Sequence, residues 1–211
     1  MRLMMLCCLL AGGLTLYAQD LQFGIGLSSQ LSTVDIPRLE GEQLNPPGLD
    51  PRIDEGIGFG INIYSRLLIN DWLSLSSAPT ILFQNNTLSY QPLSGGVAEE
   101  ELYPVSVALP VAFEFNPGRA KLRPHFSAGI GVLLNLSQNN DDEALELRKN
   151  VLFGQLSAGA TIKSSKFFMR PEIVFWQSLA NLLEGELNGE TLDAAWRQLG
   201  VRVLFYGNRN S

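Results

Sequence analysis

Ile57-Gly58-Phe59-Gly60-Ile61-Asn62-Ile63-Tyr64-Ser65-Arg66-Leu67 alternates, with Ser65 as its one exception, between large apolar residues and small or polar ones. Ile57, Phe59, Ile61, Ile63 and Leu67 share one face, while Gly58, Gly60, Asn62, Tyr64 and Arg66 take the other. A period of two marks a strand whose two faces meet unlike surroundings. The scheme recurs downstream, where Phe126, Ala128, Ile130, Val132, Leu134 and Leu136 oppose His125, Ser127, Gly129, Gly131, Asn135 and Ser137.

Working outward from these two stretches, eight such segments can be marked: 22–35, 55–69, 72–87, 101–115, 121–137, 151–163, 167–179 and 196–206. Most are longer than the roughly 5–6 residues of a soluble strand. They reach the roughly 9–11 residues that a tilted membrane-crossing strand requires. The gaps between them fall at 36–54, 70–71, 88–100, 116–120, 138–150, 164–166 and 180–195, long and short in strict alternation. An up-and-down barrel with both ends in the periplasm produces this pattern, with short turns inside and long loops outside. The short gaps carry turn chemistry in Asn70-Asp71, Asn116-Pro117-Gly118 and Ser164-Ser165. The expected fold is therefore all-β: an eight-stranded antiparallel up-and-down transmembrane β-barrel.

The N-terminus reads differently. Arg2 precedes an apolar run, Leu3 to Leu16, which ends in Tyr17-Ala18-Gln19-Asp20. This is the pattern of a secretory signal peptide, residues 1–19, cleaved near 18/19, with residues 20–211 forming the barrel domain. The run is short of the ~20 residues of a retained helical anchor. Neither Cys7 nor Cys8 follows the small residue that a lipidation site needs. Both cysteines leave with the signal, so the remaining chain has no thiol for a disulfide, nucleophile or metal site. The net charge of −6 becomes −7 without Arg2. An acidic chain with no basic cluster argues against nucleic acid as a partner. A mean hydropathy of +0.09 also excludes a bundle of membrane helices.

Aromatic residues near strand ends fit the two membrane interfaces. Trp72, Phe115, Phe167 and Phe205 are expected at the periplasmic rim, and Tyr90, Tyr103 and Trp196 at the outer one. The parity of Trp176 points it inward. Pro104, Pro124 and Pro171 lie near strand ends, whereas Pro79 and Pro110 are mid-strand and nearly symmetric about the gap at 88–100. Proline lacks the ladder donor, so a local bulge is expected where these two approach each other.

Parity directs five charges inward: Arg66, Glu114, Arg170, Glu172 and Arg202. Eight strands leave an interior just wide enough to be filled by side chains. Charges there must pair or be solvated. An ion-pair plug is the expectation, ahead of a proton relay or narrow ion path. His125 is the only histidine, and inward Ser127 and Ser157 have no base placed beside them by the sequence. Catalysis needs nucleophile, base and orienting group together, so no catalytic residue and no cofactor are expected. Asn139-Asn140-Asp141-Asp142-Glu143 is rich in oxygen ligands but lacks the spacing and glycine of a calcium loop. It reads as a solvated acidic loop, with a helical turn expected over Glu143 to Lys149. Glu184, Glu186, Glu190 and Asp193 make the last loop acidic too.

The last strand, Gln198-Leu199-Gly200-Val201-Arg202-Val203-Leu204-Phe205, resembles the assembly signal of bacterial outer-membrane proteins. Gln198, Gly200, Val203 and Phe205 fill its polar, glycine, hydrophobic and aromatic positions, although a tail, Gly207 to Ser211, follows. The chain also resembles the small "porin family" barrels of Bacteroidota, and within them the PorT-like proteins associated with type IX secretion and gliding. The segments that carry this likeness are 109–115, 122–126, 170–175 and 178–183, all in the C-terminal half. The resemblance implies insertion by the outer-membrane assembly machinery, contact with outer-membrane lipids and other envelope or secretion proteins, and an accessory role.

The leading expectation is a non-enzymatic structural or interaction component of the outer membrane. A small pore or ligand-binding barrel is the alternative, followed by an outer-membrane lipid enzyme and a soluble lipocalin-like barrel.

Overall fold

A computed structural model describes residues 21–35, 52–53, 56–90, 98–102, 104–117, 120–136, 146–184, 186–187, 190–191 and 195–207. Alternating side chains give eight barrel strands. They are β1 (Leu21–Asp35), β2 (Gly56–Leu68), β3 (in two pieces, Leu73–Ser77 and Thr80–Gln84), β4 (Val105–Phe115), β5 (Leu122–Asn135), β6 (Asn150–Lys163), β7 (Phe167–Ser178) and β8 (Ala195–Gly207). Each pairs antiparallel with its neighbours in sequence, and β8 pairs with β1 to close the barrel. The segment read as the signal peptide, residues 1–19, lies outside the described residues.

Stepping from partner to partner around the wall leads from Gln22 through Arg66, Ser76, Ala112, Gly129, Gln155, Trp176 and Gln198 to Ser32. One circuit thus advances ten residues along β1, from 22 to 32. With eight strands, that stagger tilts them by roughly 40° to the barrel axis.

Burial follows the parity read from the sequence. Ile57 (69% exposed), Ile25 (68%) and Ile63 (64%) represent an outer wall that is apolar on every strand, while the inward positions are rich in buried polar groups. This is the reverse of a soluble barrel. In water the wall would exceed the few hundred Å² of contiguous apolar surface that a soluble monomer leaves uncovered; hydrocarbon covers it. The short turns are locally determined: Asn70 Oδ1 accepts the N–H groups of Trp72 (3.0 Å) and Leu73 (2.8 Å), and the Ser164 N–H donates to the Phe167 carbonyl at 2.9 Å. At this end Trp72 stacks edge-on against Phe115 (5.4 Å) and Phe167 lies beside Phe205 (6.2 Å), all four facing outward.

Three expectations require correction. No bulge forms at the prolines. β3 breaks at Ala78 and Pro79, but pairing resumes in the same register, with Arg66 opposite Ser76 and Asn62 opposite Thr80. The same holds towards β4, where Ser77 faces Val111 and Thr80 faces Ala108, which brings Pro110 level with the gap. The missing donors open the ladder without inserting a residue, and the Ser77 hydroxyl donates to the Pro110 carbonyl at 2.7 Å. Next, the expected strands 72–87 and 101–115 are each divided. Asn86–Tyr90 and Ala98–Leu102 leave the barrel to form a separate sheet with Arg52–Ile53. The break falls at Pro104, whose carbonyl accepts the Gln84 N–H at 3.0 Å. Finally, Glu146–Leu147 is not helical but a short strand paired with Leu183–Glu184. The acidic stretch 139–143 and Tyr103 lie outside the described residues.

Candidate functional site

Among the described residues, buried polar chemistry concentrates on the inward face. Arg66 comes from β2, Glu114 from β4, Arg170 and Glu172 from β7, and Arg202 from β8, and all five are buried. Arg170 reaches across the lumen and grips Glu114 with both guanidinium nitrogens, Nη1 to Oε2 at 2.7 Å and Nη2 to Oε1 at 2.6 Å. Such two-point pairing is among the stronger charge-assisted arrangements. Arg66 Nε lies 3.2 Å from Glu114 Oε2 and donates to Ser74 Oγ at 2.8 Å. The Tyr64 hydroxyl donates to the same carboxylate, 3.1 Å from each oxygen, and its ring lies under the Arg170 guanidinium at 4.6 Å.

Glu172 anchors the second half. Arg202, its cross-strand neighbour, donates to Oε1 through Nε. Arg170 Nε lies 3.7 Å from Oε2, so one arginine touches both carboxylates. His125 Nε2 is 2.7 Å from the same oxygen. Gly159 makes that approach workable, because it sits in register between His125 on β5 and Glu172 on β7. A Cβ there would fall 2.2 Å from the Pro171 carbonyl and 2.8 Å from Glu172 Cβ. The charges therefore run as one alternating chain: Arg66, Glu114, Arg170, Glu172, Arg202.

Aromatic layers bound this chain. Towards the short turns, Phe168 stacks on Tyr206 (5.1 Å), and Tyr206 meets Tyr64 (5.2 Å). Towards the long loops, Phe153, Trp176 and Trp196 form a cluster with centroids 5.1 to 6.1 Å apart. Trp196 is therefore not a rim residue: it is buried, and its indole N–H donates to Ser32 Oγ at 2.8 Å. Even-numbered positions of β8 face the lumen, and Trp196 shares that parity with Gln198 and Arg202.

The sequence reading placed no base beside the inward serines, and this is corrected. Ser157 Oγ donates to Glu172 Oε2 at 3.2 Å and lies 2.7 Å from Ser127 Oγ. Yet the carboxylate stands between serine and histidine and is held by two arginines. In a Ser–His–acid triad the imidazole stands between hydroxyl and carboxylate, and here that order is not followed. The partners that sequence reasoning missed are Tyr64, Ser74 and Gly159. Tyr64 and Gly159 carried a faint signal in their inward parity, but parity names no partner.

Of the last-strand residues, Gln198 faces inward and is buried, Gly200 faces inward without a side chain, and Val203 and Phe205 face outward.

With fold and lumen described, the class is clear: an eight-stranded barrel of the outer-membrane type. Among solved structures, the chain is similar to the outer membrane protein OprG from Pseudomonas aeruginosa (TM-score 0.50, 8% identity, covering 89% of this chain and 93% of that one). Neisserial surface protein A matches at a TM-score of 0.45, with 9% identity over 86% of this chain and 95% of that one. AlkL, solved by solid-state NMR in DMPC bilayers, also gives 0.45, with 12% identity over 89% and 90%. At such identities the OprG likeness speaks to the fold alone. No family model and no curated protein matches the chain.

Proposed function

We propose that this chain is a non-enzymatic component of the bacterial outer membrane that works through its surfaces. The observation that supports this most is the lumen itself, crossed by the Arg170–Glu114 fork and bounded at both ends by aromatic side chains. Eight-stranded barrels are filled, whereas open aqueous channels belong to barrels of 16–18 strands. Purified barrel in planar bilayers should show no steady single-channel conductance. Stable ion-selective openings from the wild-type protein would favour the small-pore reading instead.

The finer reading rests on the resemblance to PorT-like barrels: an accessory of type IX secretion or gliding, inserted by the assembly machinery through Gln198, Gly200, Val203 and Phe205. Its partners would be other envelope proteins, met at the outer loops, the turns or the lipid-facing wall. Deleting the gene should then impair secretion of type IX cargo or surface movement. Normal export and motility in the deletion strain would remove that role while leaving the barrel reading untouched.

A further inference from the structure

The short-turn end gathers positive charge on the bore side of two adjacent strands. Lys121 and Lys163 stand opposite each other, one step beyond the Leu122–Ile162 pair, and the Lys163 N–H donates to the Lys121 carbonyl at 2.8 Å. Like charges directly opposite across two strands are destabilising. Arg123 lies opposite Thr161, and its guanidinium and the Lys163 ammonium both sit over the Phe168 ring, 5.7 and 6.0 Å from the centroid. Lys166 adds a fourth cation on the β6–β7 turn and is exposed, as are Lys121 and Lys163. Among the described residues the short turns hold one acid, Asp71, and none of the four cations meets a carboxylate. Glu114, inside the bore at this end, is already taken by Arg170 and Arg66. The long-loop segments 36–54, 88–100, 138–150 and 180–195 are the reverse, with 14 acids against 4 bases, so charge alone tells the two ends apart.

We propose that the mouth at the short-turn end is a docking surface for an acidic segment of a periplasmic protein, met by Lys121, Arg123, Lys163 and Lys166. This rests on the outer-membrane reading above, which puts the short turns in the periplasm. Parity selects such a partner over anionic lipid. Lys121, Arg123 and Lys163 share the inward parity of His125 and Thr161, whereas the outward neighbours Leu122 and Ile162 are apolar, Leu122 being 61% exposed. Headgroups surround the wall from outside, while a soluble chain reaches the mouth along the barrel axis. Four cations spread over two neighbouring turns suit a run of carboxylates better than one small ion, and clustered cations reading an acidic motif are a recurring mode of recognition. Contacts of this kind set specificity and encounter rate, and salt weakens them.

The test titrates the full barrel, in nanodiscs of phosphatidylcholine, with a fluorescent oligoglutamate peptide and with an oligoglutamine of equal length as control. Saturable binding of the acidic peptide alone is expected, weakening as salt is added. The double variant Lys121→Gln/Lys163→Gln should lower the affinity roughly tenfold, as befits the loss of two exposed ion pairs. Lys149→Gln, exposed at the loop end, should leave it unchanged. No saturable binding, or equal weakening by Lys149→Gln, overturns the proposal. So does a preference for spin-labelled phosphatidylglycerol over phosphatidylcholine that the double variant loses, because the cations would then belong to headgroups. Should the double variant not fold, carbodiimide coupling of the peptide to the wild-type barrel decides: amide links at Lys121, Lys163 or Lys166 support the surface, and links confined to Lys149 refute it. A barrel that conducts yet binds the peptide removes the filled-lumen reading and keeps this surface, whereas a silent barrel that ignores the peptide removes the surface alone.

Discussion

The two carboxylates of the lumen share one low-dielectric interior and one arginine, yet they are held in different ways. Glu114 is enclosed: both oxygens take Arg170, and Arg66, Tyr64 and Ser74 complete its shell. Glu172 is held instead by single contacts, Arg202 Nε on Oε1 and Ser157 Oγ and His125 Nε2 on Oε2, with Arg170 Nε 3.7 Å away. A two-point fork fixes geometry more tightly than a set of single contacts. One half of the lumen is braced by a fork across its width, and the other is tied together by single contacts.

That contrast can be broken most directly at Glu114. Glu114→Gln leaves Arg170 and Arg66 buried without their main counter-charge and should cost about 3–5 kcal/mol, read from urea unfolding in lipid vesicles. Glu172→Gln leaves Arg202 without its carboxylate but should cost less, about 3 kcal/mol, because Arg170 keeps its fork to Glu114. Equal losses in the two variants would erase the distinction between the halves. A finer probe is Ser77→Ala, which removes the hydroxyl at the Pro110 carbonyl in the wall and not in the lumen. About 1 kcal/mol is expected there, and its effect should add independently to that of Glu114→Gln. Strong coupling between these two sites would mean that the lumen network also sets the wall near the prolines.

Much of this architecture can be read along the chain, because a strand writes its environment into every second residue. The eight strands, the turn at Asn70 and the inward parity of Arg66, Glu114, Arg170, Glu172 and Arg202 all follow from local pattern. Which charge meets which does not. Glu114 finds Arg170 only because the barrel closes with a stagger of ten residues, from Gln22 round to Ser32, and no local signal states that number. Trp196 shows the opposite failure: position at a strand end suggested a membrane rim, but parity, the stronger constraint, sends it inward. At Pro79 and Pro110 the rule that proline breaks pairing held, while the form of the break depended on Ser77, whose role needs the neighbouring strand to be in place.

The Arg170–Glu114 fork joins walls three strands apart in a ring of eight. A thin tube under side pressure fails by flattening into an oval, and a tie across its bore resists that first mode of collapse. Lipid tails press on this wall from all sides, and a charged crossbar close to the short-turn end keeps the cross-section round there.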